Sequence, residues 1–345
     1  MTRLTITGTA ISTEDLRHHG DQELAPGLLD LAVNIRRDEP PGWLLSRIER
    51  SFRTLKGYPD STLATQTVAT RHDRDPAEVL VTAGAAEAFV LLARALQPKR
   101  SVCVHPSFTE PEAALRAAGH PVERVILDPP YVLDPAQVPD DADLVVIGNP
   151  TNPTGIVHER LAELCRPGRT TVVDEAFMDA IPGEPHSLAG QRLPGLVVVR
   201  SLTKTWALAG LRVGYLLAEP ETVALLKQAQ PLWAVSTPAL VALDTCLARG
   251  PVKQAEREAA EIAVLREDLA SRLTQLGVDV TAGSRAPYLL CRVSGRADIR
   301  DGLREHGVAV RRGDTFPGLT SEHWRTAVRD AESHQILLDA LTSLL

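Results

Sequence analysis

The sequence predicts an α/β protein: a mostly parallel seven-stranded sheet with helices on both faces, followed by a smaller α+β C-terminal domain. Three observations carry that prediction. Between about residues 75 and 220, seven short apolar runs alternate with amphipathic stretches. Beyond residue 220 the pattern changes to long helical segments, and a chain of 345 residues exceeds what one hydrophobic core usually fills.

The apolar runs are VLVTAG (79–84), SVCVHP (101–106), VERVILD (122–128), DLVVIGNP (143–150), TTVVDEAF (170–177), LVVVRSLTK (196–204) and RVGYLLAE (212–219). Each reads as a buried strand, because a strand covered on both faces has no polar alternation. EAFVLLARALQ (87–97) and EPEAALRAAG (110–119) between them read as helices. Such alternation builds a parallel sheet, in which ligands sit beyond the carboxyl ends of the strands. Further on, residues 252–276 repeat Glu, Arg, Ala and Leu at helical spacing; YLLCRV (288–293) and VAVRR (308–312) read as strands, and ESHQILLDALTSLL as a closing helix. The expected division is an N-terminal arm over 1–40, a large domain over 41–245 and a small domain over 246–345, with the fold proper starting near Trp43.

The chain has 44 Asp plus Glu against 37 Lys plus Arg, a net charge of −7, with the arginines scattered rather than gathered in a stripe. That argues against a nucleic-acid partner and for a small molecule. Four cysteines, at 103, 165, 246 and 291, are too far apart for a CxxC motif and read as buried small hydrophobes in a reducing cytoplasm. The opening MTRLTITGTAISTEDL has threonines where a signal peptide needs an apolar core, and the longest uncharged stretch, 228–243, contains two prolines, so no membrane segment and no leader are expected. Neither GxGxxG nor a P-loop is present, so no nicotinamide or ATP site is advertised, and no metal site is expected.

Five polar signals stand at strand ends: TAGAAEA (82–88), HPSF (105–108), NPTNPTG (149–155), DEAF (174–177) and SLTKTWALAGLRVGY (201–215). The basic residues are 32 arginines and five lysines, so amine chemistry has five candidates. Of these, Lys204 follows a strand among hydroxyls, with Arg212 eight residues on and Asp174 thirty residues before. This pattern fits a pyridoxal phosphate site, in which the amine forms a Schiff base and the carboxylate pairs with the pyridinium nitrogen. Backbone N–H groups of the helix after Gly84, the hydroxyls of Ser201 and Thr203, and the Arg212 fork could cradle the phosphate.

On NPTNPTG, DEAF and SLTK…LAGLRVGY together, the chain from about residue 30 onward resembles the fold-type I pyridoxal-phosphate enzymes of the aspartate aminotransferase superfamily. Within it the chain is similar to the branch of histidinol-phosphate aminotransferase and cobalamin-pathway threonine-phosphate decarboxylase. The resemblance implies that Lys204 is the Schiff-base lysine, Asp174 the pyridinium partner and Asn152 the donor to the cofactor's phenolic oxygen, with Phe108 stacked on the ring. It implies Ala85, Ala86, Ser201, Thr203 and Arg212 around the phosphate. Tyr58 in GYPD matches a tyrosine reaching the neighbouring subunit's cofactor phosphate, which implies a homodimer with shared sites. Arg325 matches the substrate-carboxylate arginine and Arg311 a second anion position, while Arg312 and Arg329 read as structural, as do His18 and His19 on a polar arm.

Two departures bear on the activity. Aminotransferases of this branch commonly carry DEAY, whereas Phe177 offers no hydroxyl; this, with HGD and the VN that contains Asn34, resembles the decarboxylases. The usual NINPLG appears as NIRRDEP, and Pro111 stands where a second aromatic is common. The leading expectation is a decarboxylase of threonine phosphate type acting on a small phosphorylated amine. The alternatives are a histidinol-phosphate or related aminotransferase and a non-catalytic pyridoxal-phosphate-binding protein.

Overall fold

A computed structural model describes residues 12–345; the threonine-rich residues 1–11 lie outside it. After helix α1 (Thr13–Leu16) and the short strand β1 (Leu29–Asp30), two helices, α2 (Gly42–Ser51) and α3 (Thr62–His72), lead into the large sheet. Its first half alternates β2 (Val79–Thr82), α4 (Ala85–Ala95), β3 (Ser101–His105), α5 (Glu110–Ala117) and β4 (Val122–Ile126). Strands β5 (Leu144–Gly148), β6 (Thr170–Asp174), β7 (Leu196–Ser201) and β8 (Gly214–Leu217) complete it, in the order β2-β8-β7-β6-β5-β3-β4. Only β8 runs against its neighbours, pairing antiparallel with β2 and β7. All seven runs read from the sequence are strands here, but each is shorter than its run. The polar tails, among them Lys204 after β7 and Glu175 after β6, leave the sheet at its carboxyl edge.

Alternate residues of these strands face opposite sides. Val79, Val81, Val102, Val104, Val145 and Ile147 pack under α2 and α3; a further helix, α6 (Pro220–Ala229), covers the other face with α4 and α5, against Leu80, Val146, Val172 and Leu216. Helix α7 (Thr237–Cys246) joins the first of these cores. The 27-residue α8 (Arg249–Gln275) then passes from one core to another: Ala255 packs in the large core, and Ile262, Leu269 and Leu273 in a separate, smaller one.

The smaller core lies among β9 (Asp279–Val280), β10 (Tyr288–Arg292), α9 (Ile299–Glu305), β11 (Val308–Ala309), β12 (Arg311–Arg312), β13 (His323–Ala327) and α10 (Ala331–Leu344). Two expectations are corrected here. VAVRR is not one strand: Val308–Ala309 pairs parallel with β1, and Arg311–Arg312 pairs antiparallel with β13, so the chain changes sheets at Val310. Nor does the fold begin near Trp43, because Leu29 and Leu31 donate backbone N–H bonds to Gly307 O and Ala309 O, and Leu31 is fully buried in the smaller core. A segment tied by a β-ladder and a buried leucine is not a detached arm. Strand β13, in HWRTAVRD, was legible only as a motif, since arginine and threonine break its apolar run.

Leu31→Ala should therefore destabilise the protein by about 2–5 kcal/mol in urea unfolding, the range for a fully buried leucine. An effect within about 0.5 kcal/mol, the range of a surface substitution, would return this segment to the status of an arm.

Candidate active site

The carboxyl ends of β2, β3, β5, β6 and β7 converge on one cavity of about 620 Å³. Every site residue named from the sequence lines it, Asn34, Ala85, Ala86, Phe108, Asn152, Asp174, Ser201, Thr203, Lys204, Arg212, Arg311 and Arg325, with the single exception of Tyr58. Tyr58 is 77% exposed and stacks on Trp233, ring centroids 4.1 Å apart.

Lys204 sits in the turn after β7, and its amine is pushed down to about 8, first by burial and then by the positive charges of Arg325 and Arg212. Asp174, the last residue of β6, is raised to about 6 by burial; its Oδ1 accepts from the Ala176 N–H at 3.0 Å. A cationic N–H placed against this carboxyl would hold it ionised, as a buried charge needs a partner. Asn152 Oδ1 accepts from Arg325 Nη1 at 2.7 Å.

At one end of the cavity the hydroxyls of Ser201 and Thr203 lie 2.8 Å apart beside the first turn of α4, which begins at Ala85. Arg212, with φ +57, turns its guanidinium against Gly84, and a Cβ on Gly84 would lie 2.8 Å from Arg212 Nη2. Two hydroxyls, a helix N-terminus and a guanidinium that only a glycine admits form a cradle for a phosphate. Together with a buried amine and a buried carboxyl, this donor set fits pyridoxal phosphate. Among the described residues no group of three His, Cys, Asp or Glu is placed to hold a metal.

The opposite side is cationic. Arg325 is buried, donates also to Ala32 O, lies over the Tyr288 ring and keeps Nε without a partner. Arg311, equally buried, commits its Nη2 to Thr315 Oγ1 and His18 O, both at 2.6 Å, and pairs with Glu23 at 3.6 Å. It therefore holds the N-terminal segment as well as facing the cavity. Asn34 is buried with both amide atoms unpartnered. Phe177 packs edge-on against Tyr288, centroids 5.0 Å apart, and the Tyr288 hydroxyl donates to Thr151 O.

Arg312 pairs with Asp314 and Arg329 donates to Val33 O, the structural places expected of both. His19 is not on an open surface arm: it lines the cavity, lies 5.3 Å from the Phe108 ring and bonds Glu110 Oε1 at 2.7 Å. The HHGD signal was present, but only the closure of the N-terminal segment over the start of α5 gives it this position. His18 instead bonds Glu23 at 3.0 Å. Ser107 also lines the cavity, and its only signal was its place beside Phe108 at a strand end.

A profile of the aminotransferase class I and II family matches residues 26–341. The chain is 49% identical over 318 residues to a histidinol-phosphate aminotransferase of Mycobacterium tuberculosis (strain ATCC 25618 / H37Rv), covering 91% of this chain and 87% of that one. It is 30% identical over 340 residues to the threonine-phosphate decarboxylase of Salmonella typhimurium, covering 92% and 91%. The solved histidinol-phosphate aminotransferase from Clostridium acetobutylicum superimposes with a TM-score of 0.83 at 25% identity, over 92% of this chain and 99% of that one.

In cofactor-free protein, acylation of Lys204 followed by peptide mass spectrometry should rise with a midpoint near pH 8, against about 10.4 for an ordinary lysine. Arg325→Ala removes a neighbouring positive charge and should move that midpoint upward; a wild-type midpoint near 10 would contradict the described burial.

Proposed function

The chain belongs to the class I and II aminotransferase family and is a pyridoxal-phosphate-dependent enzyme, and from that premise we propose that it transaminates a small phosphorylated amine of the histidinol-phosphate class. The observation that carries the reading is the cavity's surplus of cation. Beyond Arg212 at the phosphate cradle, Arg325 and Arg311 face the same space as Lys204. An anionic substrate answers that surplus, and planar guanidinium forks suit phosphate and carboxylate alike.

The 49% identity to a histidinol-phosphate aminotransferase, against 30% to a threonine-phosphate decarboxylase, favours transamination over the decarboxylation that Phe177 and HGD suggested. The membership of an enzyme family leaves the non-catalytic reading without support. Chemistry separates the two substrates as well: histidinol phosphate has no carboxylate to lose, whereas threonine phosphate has one.

Lys204 would hold the cofactor by its amine, Asp174 its ring nitrogen, Asn152 its phenolic oxygen and Phe108 its face, with Ala85, Ala86, Ser201, Thr203 and Arg212 around its phosphate. When bound, pyridoxal phosphate supplies an electron sink for the pair released at the substrate's α-carbon. Lys204, its amine freed once the substrate's amine has taken its place on the cofactor, would take the proton from that carbon and hand it back to the cofactor side. Arg325 and Asn34 would orient the substrate's anionic end, Arg311 would supply a second positive charge, and the wall built by His19 and Phe108 would keep water out.

We read the active molecule as a cytoplasmic homodimer in which Tyr58 reaches the neighbouring cofactor phosphate; the exposure of Phe52, Leu55, Tyr58, Leu63 and Leu232 supports such an interface. We assign the large domain to 41–245 and the small one to 246–345, with Leu29–Leu31 packed on the latter.

Purified protein given histidinol phosphate and 2-oxoglutarate should form glutamate, and given threonine phosphate should release no CO₂ above background; the opposite pair of results refutes the substrate reading. Borohydride reduction should fix the label on Lys204, and Lys204→Ala should lose about 10²–10⁴-fold in rate.

A further inference from the structure

Residues 31–37 form a strap between the two cores, with no ladder of their own beyond Leu31. One end is tied to β13 and the turn after it: Ala327 N–H donates to Leu31 O at 2.8 Å, Arg325 to Ala32 O, and Arg329 to Val33 O at 2.7 Å. The other end carries Arg36 and Arg37. Both side chains close on one carboxylate, Glu258 of α8: Arg37 Nη2 bonds Oε1, and Arg36 Nη1 lies 3.3 Å from Oε2. Gln254, one turn earlier, donates to the same carboxylate at 2.9 Å, and Arg37 lies over the Trp206 ring. Glu258 stands between Ala255, in the large core, and Ile262, in the small one, so the strap is anchored where α8 crosses the seam.

What the strap presents to the cavity depends on that anchor. The Arg36 backbone N–H donates to Lys204 O at 3.0 Å, and Asn34, two residues before it, holds its buried, unpartnered amide against the cavity. A buried amide with four unused hydrogen-bonding positions is costly unless a ligand satisfies it.

We propose that Glu258 is a positioning residue for substrate selection: through Arg36 and Arg37 it seats the strap, and so sets where Asn34 meets the substrate and where the Lys204 main chain lies. The proposal rests on the assignment of Lys204 to the cofactor and Asn34 to the substrate. Removing the anchor releases a charge-assisted contact on a segment that has no regular structure to replace it.

The test uses the holoenzyme and the variants Glu258→Ala, Glu258→Gln, Glu258→Asp and Asn34→Ala. Hydrogen exchange at the Arg36 amide should quicken about tenfold in Glu258→Ala and less in Glu258→Gln, with β5 and β6 unchanged. KM for histidinol phosphate should rise about tenfold in Glu258→Ala and fall back toward wild type in Glu258→Asp, with kcat altered far less. In an Asn34→Ala background, Glu258→Ala should change KM by less than about twofold, because the two act through one contact. Unchanged Arg36 exchange in both Glu258→Ala and Glu258→Gln, or fully additive KM effects, would overturn the proposal. Exchange that quickens as expected in a protein whose borohydride label is absent from Lys204 would overturn the cofactor assignment instead.

Discussion

A buried guanidinium needs partners for its donors, and Arg325 finds them for both terminal nitrogens by drawing distant parts of the chain together. It reaches Asn152 in the turn after β5, Ala32 in the strap and the Tyr288 ring on β10. A cation taken out of water costs several kcal/mol unless such partners surround it. The same arrangement gathers these parts of the chain around the cavity that Lys204 lines. One donor, Nε, remains unmatched, on the residue that resemblance assigns to a substrate anion.

The N-terminal segment is organised on the same principle. Glu23 is almost fully buried and is reached by Arg311, Arg300, His18 and the Arg312 backbone N–H. Thr109 donates to Leu16 O, closing residues 13–23 over the start of α5. One carboxylate thus holds in place a wall that contains His19, while Glu258 holds the strap. Carboxylates outside the cavity position its walls, and the cations inside it are left to face a ligand.

Much of the fold was legible because its signals are local. Seven strands and their order along the chain follow from apolar runs, although the edge strand β4 is only partly buried where a buried strand was expected, and the Lys204, Asp174, Asn152 and Arg212 set follows from polar residues placed after such runs. The split of VAVRR between two sheets was not legible, since Val308 and Arg311 find their partners in β1 and β13, which are distant in sequence. The seating of Leu31 was hidden for the same reason, its ladder being formed with residues 307–309. His19 carried a visible motif, but an exposed arm and a cavity wall have the same composition.

By itself the sequence determined the fold class and singled out Lys204 and Asp174 as the candidate amine and carboxylate, because continuous apolar runs and the polar residues that end them are written in neighbouring residues. Tertiary structure alone decided how the arginines share out their donors: Arg325 faces inward with an unmatched donor, Arg311 divides its donors, and Arg36 and Arg37 serve Glu258. The physical reason is that a guanidinium acts according to the partners within about 3 Å of it, and those partners come from residues up to 296 positions away.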